Sequence, residues 1–273
     1  TTNYMKPFLL ALLTLLISHS LYAGDFLLSG DISYTLNDDS YSKERCRLDV
    51  YHPADTVGMP VVVWFHGGGL TGGSKYIPDE LKDGKQIVVA VNYRLLPEVE
   101  ISDCIDDAAV AVAWTFRNIG SFGGDKNKIF VSGHSAGGYL TSMIGLDRQW
   151  LKKYGVDADS VAGLVPFSGQ VITHFAHRRL NGLSELQPAV DKYAPLYHVR
   201  ADSSPYIIIT GGRDEELLGR YEENAYMWRM MKLCGHPYVY IYELDGHNHG
   251  EMVSPAFLIL KKHMKDILEQ KRQ

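Results

Sequence analysis

The sequence has little cysteine, no long run of basic residues and no strong excess of charge of either sign. Only three cysteines occur among the 273 residues, Cys46, Cys104 and Cys234, and they are widely spaced. Three widely spaced cysteines do not form a disulfide framework. A hydrophobic core must therefore hold the fold together. The formal net charge is −5, and Lys and Arg are not clustered, so we expect no binding of nucleic acid.

The composition is that of an ordinary globular protein, with 45% hydrophobic and 22% charged residues. No internal repeat, low-complexity linker or change of composition marks a second domain. A chain of this length can build one large core. We therefore predict a single domain over residues 24–273.

The first residues have the composition of a targeting segment. Met5, which we take as the start, is followed by Lys6 and by an apolar run over 7–17, and a short polar stretch ends at Ala23. This pattern predicts a signal peptide over 1–23 and an exported protein, either periplasmic or secreted. The apolar run is short for a membrane span, so we expect no stable span in the mature form, with an uncleaved anchor as the alternative.

Short apolar runs alternate with helical patterns along the rest of the chain. Several of the runs are continuous Val and Ile, as in strands buried on both faces. This predicts an α/β fold with a mostly parallel central sheet and helices on both faces. The predicted strands are 47–51, 61–65, 87–92, 129–132, 161–167, 206–210 and 238–243, and the predicted long helices are 103–118, 215–233 and 255–270.

The polar segment 171–200 interrupts this alternation between two core strands. In such sheets an insertion of this kind lies above the strand ends, where ligands bind. We predict a small lid there, with an ordinary long surface loop as the alternative. We expect solvated surface positions for Arg178 in this segment and for Asp107.

The motif Gly133-His134-Ser135-Ala136-Gly137 follows a predicted strand and precedes a helical run. This context is typical of a nucleophile elbow, in which a strained turn lifts the serine hydroxyl out of the sheet. Ser135 is therefore the predicted nucleophile. An elbow of this type needs backbone N–H donors for the oxyanion, and the glycines after His66 follow another strand. We predict Gly67, Gly68 and Ala136 as these donors.

The acid and the base of such a triad follow the serine in the order acid, then histidine. Asp214 comes just after a predicted strand and is our predicted acid, while Glu215 and Glu216 are rivals that we expect in the first turn of the next helix. His249 is our predicted base, with His247 as the alternative. The His-x-His pair has no third ligand at suitable spacing, so we expect no metal site.

With these residues in place, the sequence resembles the α/β-hydrolase superfamily, in its hormone-sensitive-lipase-like and bacterial feruloyl/acyl esterase branch. The resemblance runs from about Arg47 to the C-terminus and rests on the sequence around His66, on 122–125, on the elbow, and on the stretches ending at Asp214 and His249. In similar enzymes the histidine closes a Gly-x-x-His stretch, which favours His249. The resemblance implies hydrolysis, without a cofactor, of short-acyl or hydroxycinnamoyl esters.

We therefore expect a serine carboxylesterase that acts on small or polysaccharide-linked esters, including side groups of plant polysaccharides. An amidase, a formamidase or a peptidase with the same triad is one alternative. A non-catalytic binding protein of the same fold is another, although every catalytic position is filled.

Overall fold

The computed structural model describes residues 25–217 and 219–270, so the predicted signal peptide lies outside the described residues. One eight-stranded sheet runs through this part of the chain, in the order β1-β2-β4-β3-β5-β6-β7-β8. The strands are β1 (Phe26–Ser33), β2 (Arg47–Pro53), β3 (Met59–Phe65), β4 (Ile87–Val91), β5 (Gly124–His134), β6 (Gly163–Phe167), β7 (Tyr206–Gly211) and β8 (Val239–Leu244).

The sheet is parallel from β4 to β8, and β1 and β2 form an antiparallel edge. The apolar run of each central strand is buried on both faces, which explains why these strands are continuous Val and Ile runs. The predicted mostly parallel sheet is confirmed. β1 was not predicted, because it lies at an exposed edge and Gly30-Asp31 interrupts its pattern where the pairing with β2 shifts register.

Helices cover both faces. They are α1 (Ser40–Arg45), α2 (Ile101–Asn118), α3 (Ala136–Leu146), α4 (Arg148–Lys152), α5 (Phe175–Leu180), α6 (Arg220–Leu233) and α7 (Val253–Gln270). Side chains of α2, α3 and α6 share one core with one face of the sheet. Phe257 and Leu260 of α7 pack with Trp64 and Phe167 in a second core on the opposite face.

A buried ion pair joins α2 to the segment after β4. Asp107 is 3% exposed and accepts three hydrogen bonds from Arg94, one from its backbone N–H and two from its guanidinium, at 2.7–2.9 Å. The expected surface position of Asp107 is therefore wrong. A carboxylate on the inner face of an amphipathic helix is stable only because a charged partner satisfies it.

All three cysteines are free, with Cys46 and Cys104 buried and Cys234 exposed. Within the described residues, no helix combines the length and the apolar character that crossing a bilayer requires.

Candidate active site

The residues of the candidate site follow the carboxyl ends of neighbouring parallel strands. His66 follows β3, Ser135 follows β5, Ser168 follows β6 and His249 lies beyond β8. Because these strands are parallel and adjacent, their carboxyl ends meet at one edge of the sheet. The edge brings together residues that are more than 100 positions apart in the sequence.

Ser135 occupies a strained turn between β5 and α3. Its φ of 56° and ψ of −112° are rare for a residue with a side chain. The turn depends on the flanking glycines. A β-carbon at Gly133 would lie 2.6 Å from the carbonyl oxygen of Phe65, and one at Gly137 would collide with that same oxygen. The backbone of β3 therefore approaches the elbow too closely for any side chain at these positions.

The glycine loop after β3 lies directly beside the nucleophile. A β-carbon built on Gly67 would be 3.5 Å from Cβ of Ser135. Gly68 has a φ of 113°, a conformation that favours glycine, and a β-carbon there would collide with the carbonyl of Gly72. Tyr93 holds the start of the loop, since its hydroxyl donates to the carbonyl oxygen of His66 at 2.8 Å.

The first residue of α3, Ala136, follows Ser135 directly. An N–H at the first position of a helix has no carbonyl partner within that helix, so it is available to a ligand. The structure thus places Gly67 and Ala136 beside the serine, with Gly68 next to Gly67 in the same loop. Their role as oxyanion donors stays a prediction.

Glu216 is the carboxylate that contacts His249. Its Oε2 lies 2.8 Å from Nδ1 of His249, and its side chain is fully buried. With the Nδ1 proton directed at a carboxylate, the imidazole presents Nε2 as its unprotonated nitrogen. Such an acid orients the ring and stabilises its charged form.

The prediction of Asp214 is wrong in this structure, since Asp214 is exposed and Glu216 occupies the position beside the histidine. The reason is local. Helix α6 begins at Arg220 rather than at 215, so the residues before it form a turn. This turn directs Glu216 back toward the strand ends, where a helix would have carried it outward.

Glu216 is held by several donors. The Ser168 hydroxyl donates to Oε1, the N–H of Gly211 donates to Oε1 at 3.0 Å, and the N–H of Leu217 donates to Oε2 at 3.0 Å. Burial raises the pKa of this carboxyl, but the bonds from His249 and Ser168 outweigh burial and lower the pKa to about 2. Glu216 is therefore ionised at neutral pH.

Ser168 was not predicted from the sequence. Its Oγ lies 3.1 Å from Nδ1 of His249 and also bonds Glu216, so it touches both members of the pair. The backbone of Ser168 has a φ of 45° and its N–H donates to the carbonyl of Ile209 at 2.7 Å. The polar Ser-Gly after an apolar strand was the only sequence signal for this residue.

His249 lies close to the elbow. The Nε2 of His134 is 2.8 Å from the carbonyl oxygen of His249, and the two ring centroids are 4.6 Å apart. The alternative base, His247, bonds through Nδ1 to the carbonyl of Asp245 at 3.1 Å. The structure therefore brings His249, and not His247, to the acid.

The segment 171–200 leaves the sheet between β6 and β7 and contains α5 and a 3-10 turn, Pro195–His198. It lies against the glycine loop, since a β-carbon on Gly69 would be 3.0 Å from Cζ of Phe175. Arg178, expected at the surface, is 2% exposed and donates to carbonyl groups of its own segment. The segment thus has an ordered interior and borders the site.

A family model named BD-FAE matches residues 48–220, more than half of the chain. Among curated proteins, the chain is 27% identical over 236 residues to a probable isoprenylcysteine alpha-carbonyl methylesterase of Oryza sativa, covering 76% of this chain and 55% of that protein. It is 28% identical over 242 residues to the probable carboxylic ester hydrolase LipM of Mycobacterium tuberculosis, covering 79% of this chain and 54% of that protein. The chain thus spans about half the length of these curated relatives.

Solved structures show the same fold. A truncated carbohydrate esterase from gut microbiota superposes with a TM-score of 0.73 at 16% identity, over 90% of this chain and 97% of that one. A thermophilic esterase from Thermogutta terrifontis superposes with a TM-score of 0.67 at 21% identity, over 87% of this chain and 91% of that one. The predicted α/β-hydrolase fold is confirmed.

Proposed function

We propose that this chain, which belongs to the BD-FAE family of the α/β-hydrolase superfamily, is a serine carboxylesterase with Ser135 as nucleophile, His249 as base and Glu216 as acid. The observation that carries the proposal is the contact of 2.8 Å between the buried carboxylate of Glu216 and His249, beside a strained serine elbow. A carboxylate, an imidazole and a serine in this order form an acyl-transfer site on this fold.

In the proposed reaction, Nε2 of His249 accepts the proton of Ser135 Oγ while this oxygen bonds to the ester carbonyl carbon. The carbonyl oxygen becomes an oxyanion and accepts hydrogen bonds from the N–H groups of Gly67, Gly68 and Ala136. The bond to the alcohol oxygen then breaks, and His249 donates its proton to the departing alcohol. Water attacks the acyl-serine in the same way and releases the acid.

Glu216 does not take the proton in this scheme. Because its pKa is lowered to about 2, it remains a carboxylate and stabilises the imidazolium that forms on His249. Ser168 donates to Glu216, so it is a positioning residue for the acid.

For the substrate we propose esters of short acyl or hydroxycinnamoyl groups, including those carried on polysaccharide side groups. The support is indirect: two relatives bear names of ester hydrolases, and one structural neighbour is described as a carbohydrate esterase.

The test uses residues 24–273 with 4-nitrophenyl acetate, butyrate and decanoate, methyl ferulate and acetylated xylan, each beside Ser135→Ala. We expect turnover of the short esters, with loss of at least about a thousandfold in Ser135→Ala. If no ester is turned over, while formamides or peptides are hydrolysed and Ser135→Ala abolishes that activity, the triad serves an amidase or a peptidase instead.

We also propose that residues 1–23 direct export. Expression of the full chain in a bacterial host followed by fractionation would test this. We expect the protein outside the cytoplasm with Gly24 at its N-terminus, and a cytoplasmic product that retains Met5 would contradict export.

A further inference from the structure

A small cavity lies near the proposed active site. It has a volume of about 210 Å³ and is lined by Gln170, Phe175, Glu185, Leu186, Leu217 and Arg220. Phe175 lies against the glycine loop, and Arg220 donates from Nη1 to the carbonyl of Ser168 at 2.5 Å. Because Ser168 touches both His249 and Glu216, Arg220 links the cavity to the acid and base, and Phe175 links it to the glycine loop.

A larger groove, lined in part by Pro60, Gln86 and Lys261, lies elsewhere. Pro60 and Gln86 are at the amino ends of β3 and β4, on the edge of the sheet opposite Ser135. That groove cannot receive part of an ester held at the nucleophile, whereas the small cavity can.

Two buried side chains that line the small cavity each have a hydrogen-bond donor without a partner among the described residues. Arg220 is 3% exposed and bonds through Nε and Nη1, which leaves Nη2 without a partner among the described residues. Gln170 is 5% exposed and accepts the N–H of Phe175 through Oε1 at 2.8 Å, so its amide nitrogen is likewise available. The remaining walls are mostly apolar, with Phe175, Leu186 and Leu217 around the two donors.

Buried charges of both signs surround these donors. Glu223 accepts bonds from Arg220 and from two backbone N–H groups, so it offsets one guanidinium. Arg178 is also buried, but it donates only to carbonyl oxygens of its own segment. Glu185 at the rim is mostly exposed and pairs with Arg179. Arg178 therefore bonds no carboxylate within the described residues, while Glu216, bonded by Ser168, is a second buried carboxylate close to Arg220.

We propose that the cavity is a subsite for a carboxylate, so that the enzyme favours esters that carry a free carboxylate on an apolar spacer. A carboxylate can accept from Arg220 Nη2 and from the Gln170 amide together, and such charge-assisted bonds are stronger than those to a neutral acceptor. The spacer lies against Phe175, Leu186 and Leu217. This inference rests on the proposed esterase function and assigns the substrate class of that same site.

Two matched pairs of substrates distinguish the side of the ester on which the carboxylate lies. Mono-4-nitrophenyl glutarate against 4-nitrophenyl valerate tests the acyl side, and 4-acetoxybenzoate against 4-acetoxybenzamide tests the alcohol side. In one pair we expect kcat/KM of the carboxylated ester to exceed that of its neutral partner by at least about tenfold, as one charge-assisted bond provides.

The variant Gln170→Glu sharpens the test. Glutamate keeps the acceptor for the N–H of Phe175 but replaces the donor with an oxygen that repels a carboxylate. We expect the ratio of kcat/KM, carboxylated over neutral, to fall by at least about tenfold. Asn127→Asp adds the same charge at an exposed position of β5 far from the cavity and should leave both the ratio and the activity unchanged.

An equal rate on both members of each pair, or an unchanged ratio in Gln170→Glu with a normal melting curve, would overturn the subsite while the esterase function stands. Absence of turnover on every ester would overturn the esterase function and the subsite with it.

Discussion

His134 Nε2 and the carbonyl oxygen of His249 lie 2.8 Å apart, so the residue before the nucleophile holds the loop of the base. Burial, with a smaller contribution from His249, lowers the pKa of His134 to about 4, so this imidazole is neutral at pH 7 and donates from Nε2. His134, the residue directly before the nucleophile in the elbow motif, is therefore a positioning residue for His249.

We expect His134→Phe, which removes the donor, to lower kcat roughly tenfold because the base is less precisely placed. His134→Gln can donate to the same carbonyl and should recover most of the activity. Initial rates on 4-nitrophenyl butyrate measure both. Equal losses in the two variants would show that the ring itself, and not its hydrogen bond, matters.

The acid is tested by two conservative substitutions that are two residues apart. Glu216→Gln removes the charge beside His249 but keeps the size, and kcat should fall by about a thousandfold or more. Asp214→Asn changes an exposed side chain and should stay within about twofold. A larger loss of kcat in Asp214→Asn than in Glu216→Gln would identify Asp214 as the acid.

Glu216 also links stability to acid pH. Its folded pKa of about 2 is below its ordinary value of 4.5, so its contribution is present above pH 4.5 and is lost as pH falls toward 2. Urea unfolding of wild type and Glu216→Gln should therefore differ most above pH 4.5 and converge below it. A difference that stays constant from pH 6 to pH 2.5 would contradict the lowered pKa.

The close approach of β3 to the elbow predicts the effect of a single methyl group. Gly137→Ala places a β-carbon against the carbonyl of Phe65 and should abolish activity or prevent folding. Gly120→Ala is the matched control, because a β-carbon there meets nothing within 4 Å. Circular dichroism and esterase rates distinguish the two outcomes, and a fully active Gly137→Ala would contradict this packing.

The ion pair between Arg94 and Asp107 should dominate the charge contribution to stability. Asp107→Asn leaves a buried guanidinium without its carboxylate and should lower the free energy of unfolding by about 3–5 kcal/mol. Asp266→Asn breaks an exposed pair with Lys262 and should leave the melting curve unchanged. Thermal unfolding of the two variants measures the difference in stability loss. Equal melting temperatures in the two variants would contradict the burial of Asp107.

Much of this molecule could be predicted because its strongest patterns coincide with its function. The central strands are continuous apolar runs, and the glycines around Ser135 and after His66 are required by close backbone contacts. The family resemblance based on these motifs is confirmed by the BD-FAE match.

The identity of the acid and the burial of two charges could not be predicted from the sequence. Acidic residues before α6 predicted a helix start, and only the turn over 213–217 shows that Glu216 faces inward. Arg178 and Asp107 occur in polar surroundings in the sequence, yet both are buried because partners in neighbouring segments, Gln187 and Arg94, satisfy them. Burial of a charge depends on such partners, which composition does not reveal.

The order of the site residues along the chain also determines when the site can form during synthesis. The oxyanion loop and the nucleophile lie in the first half of the chain, while Glu216 and His249 follow β7 and β8. During synthesis the nucleophile therefore exists long before its base, and contacts over such sequence separations form slowly. Recovery of esterase activity is thus a measure of the final stage of folding.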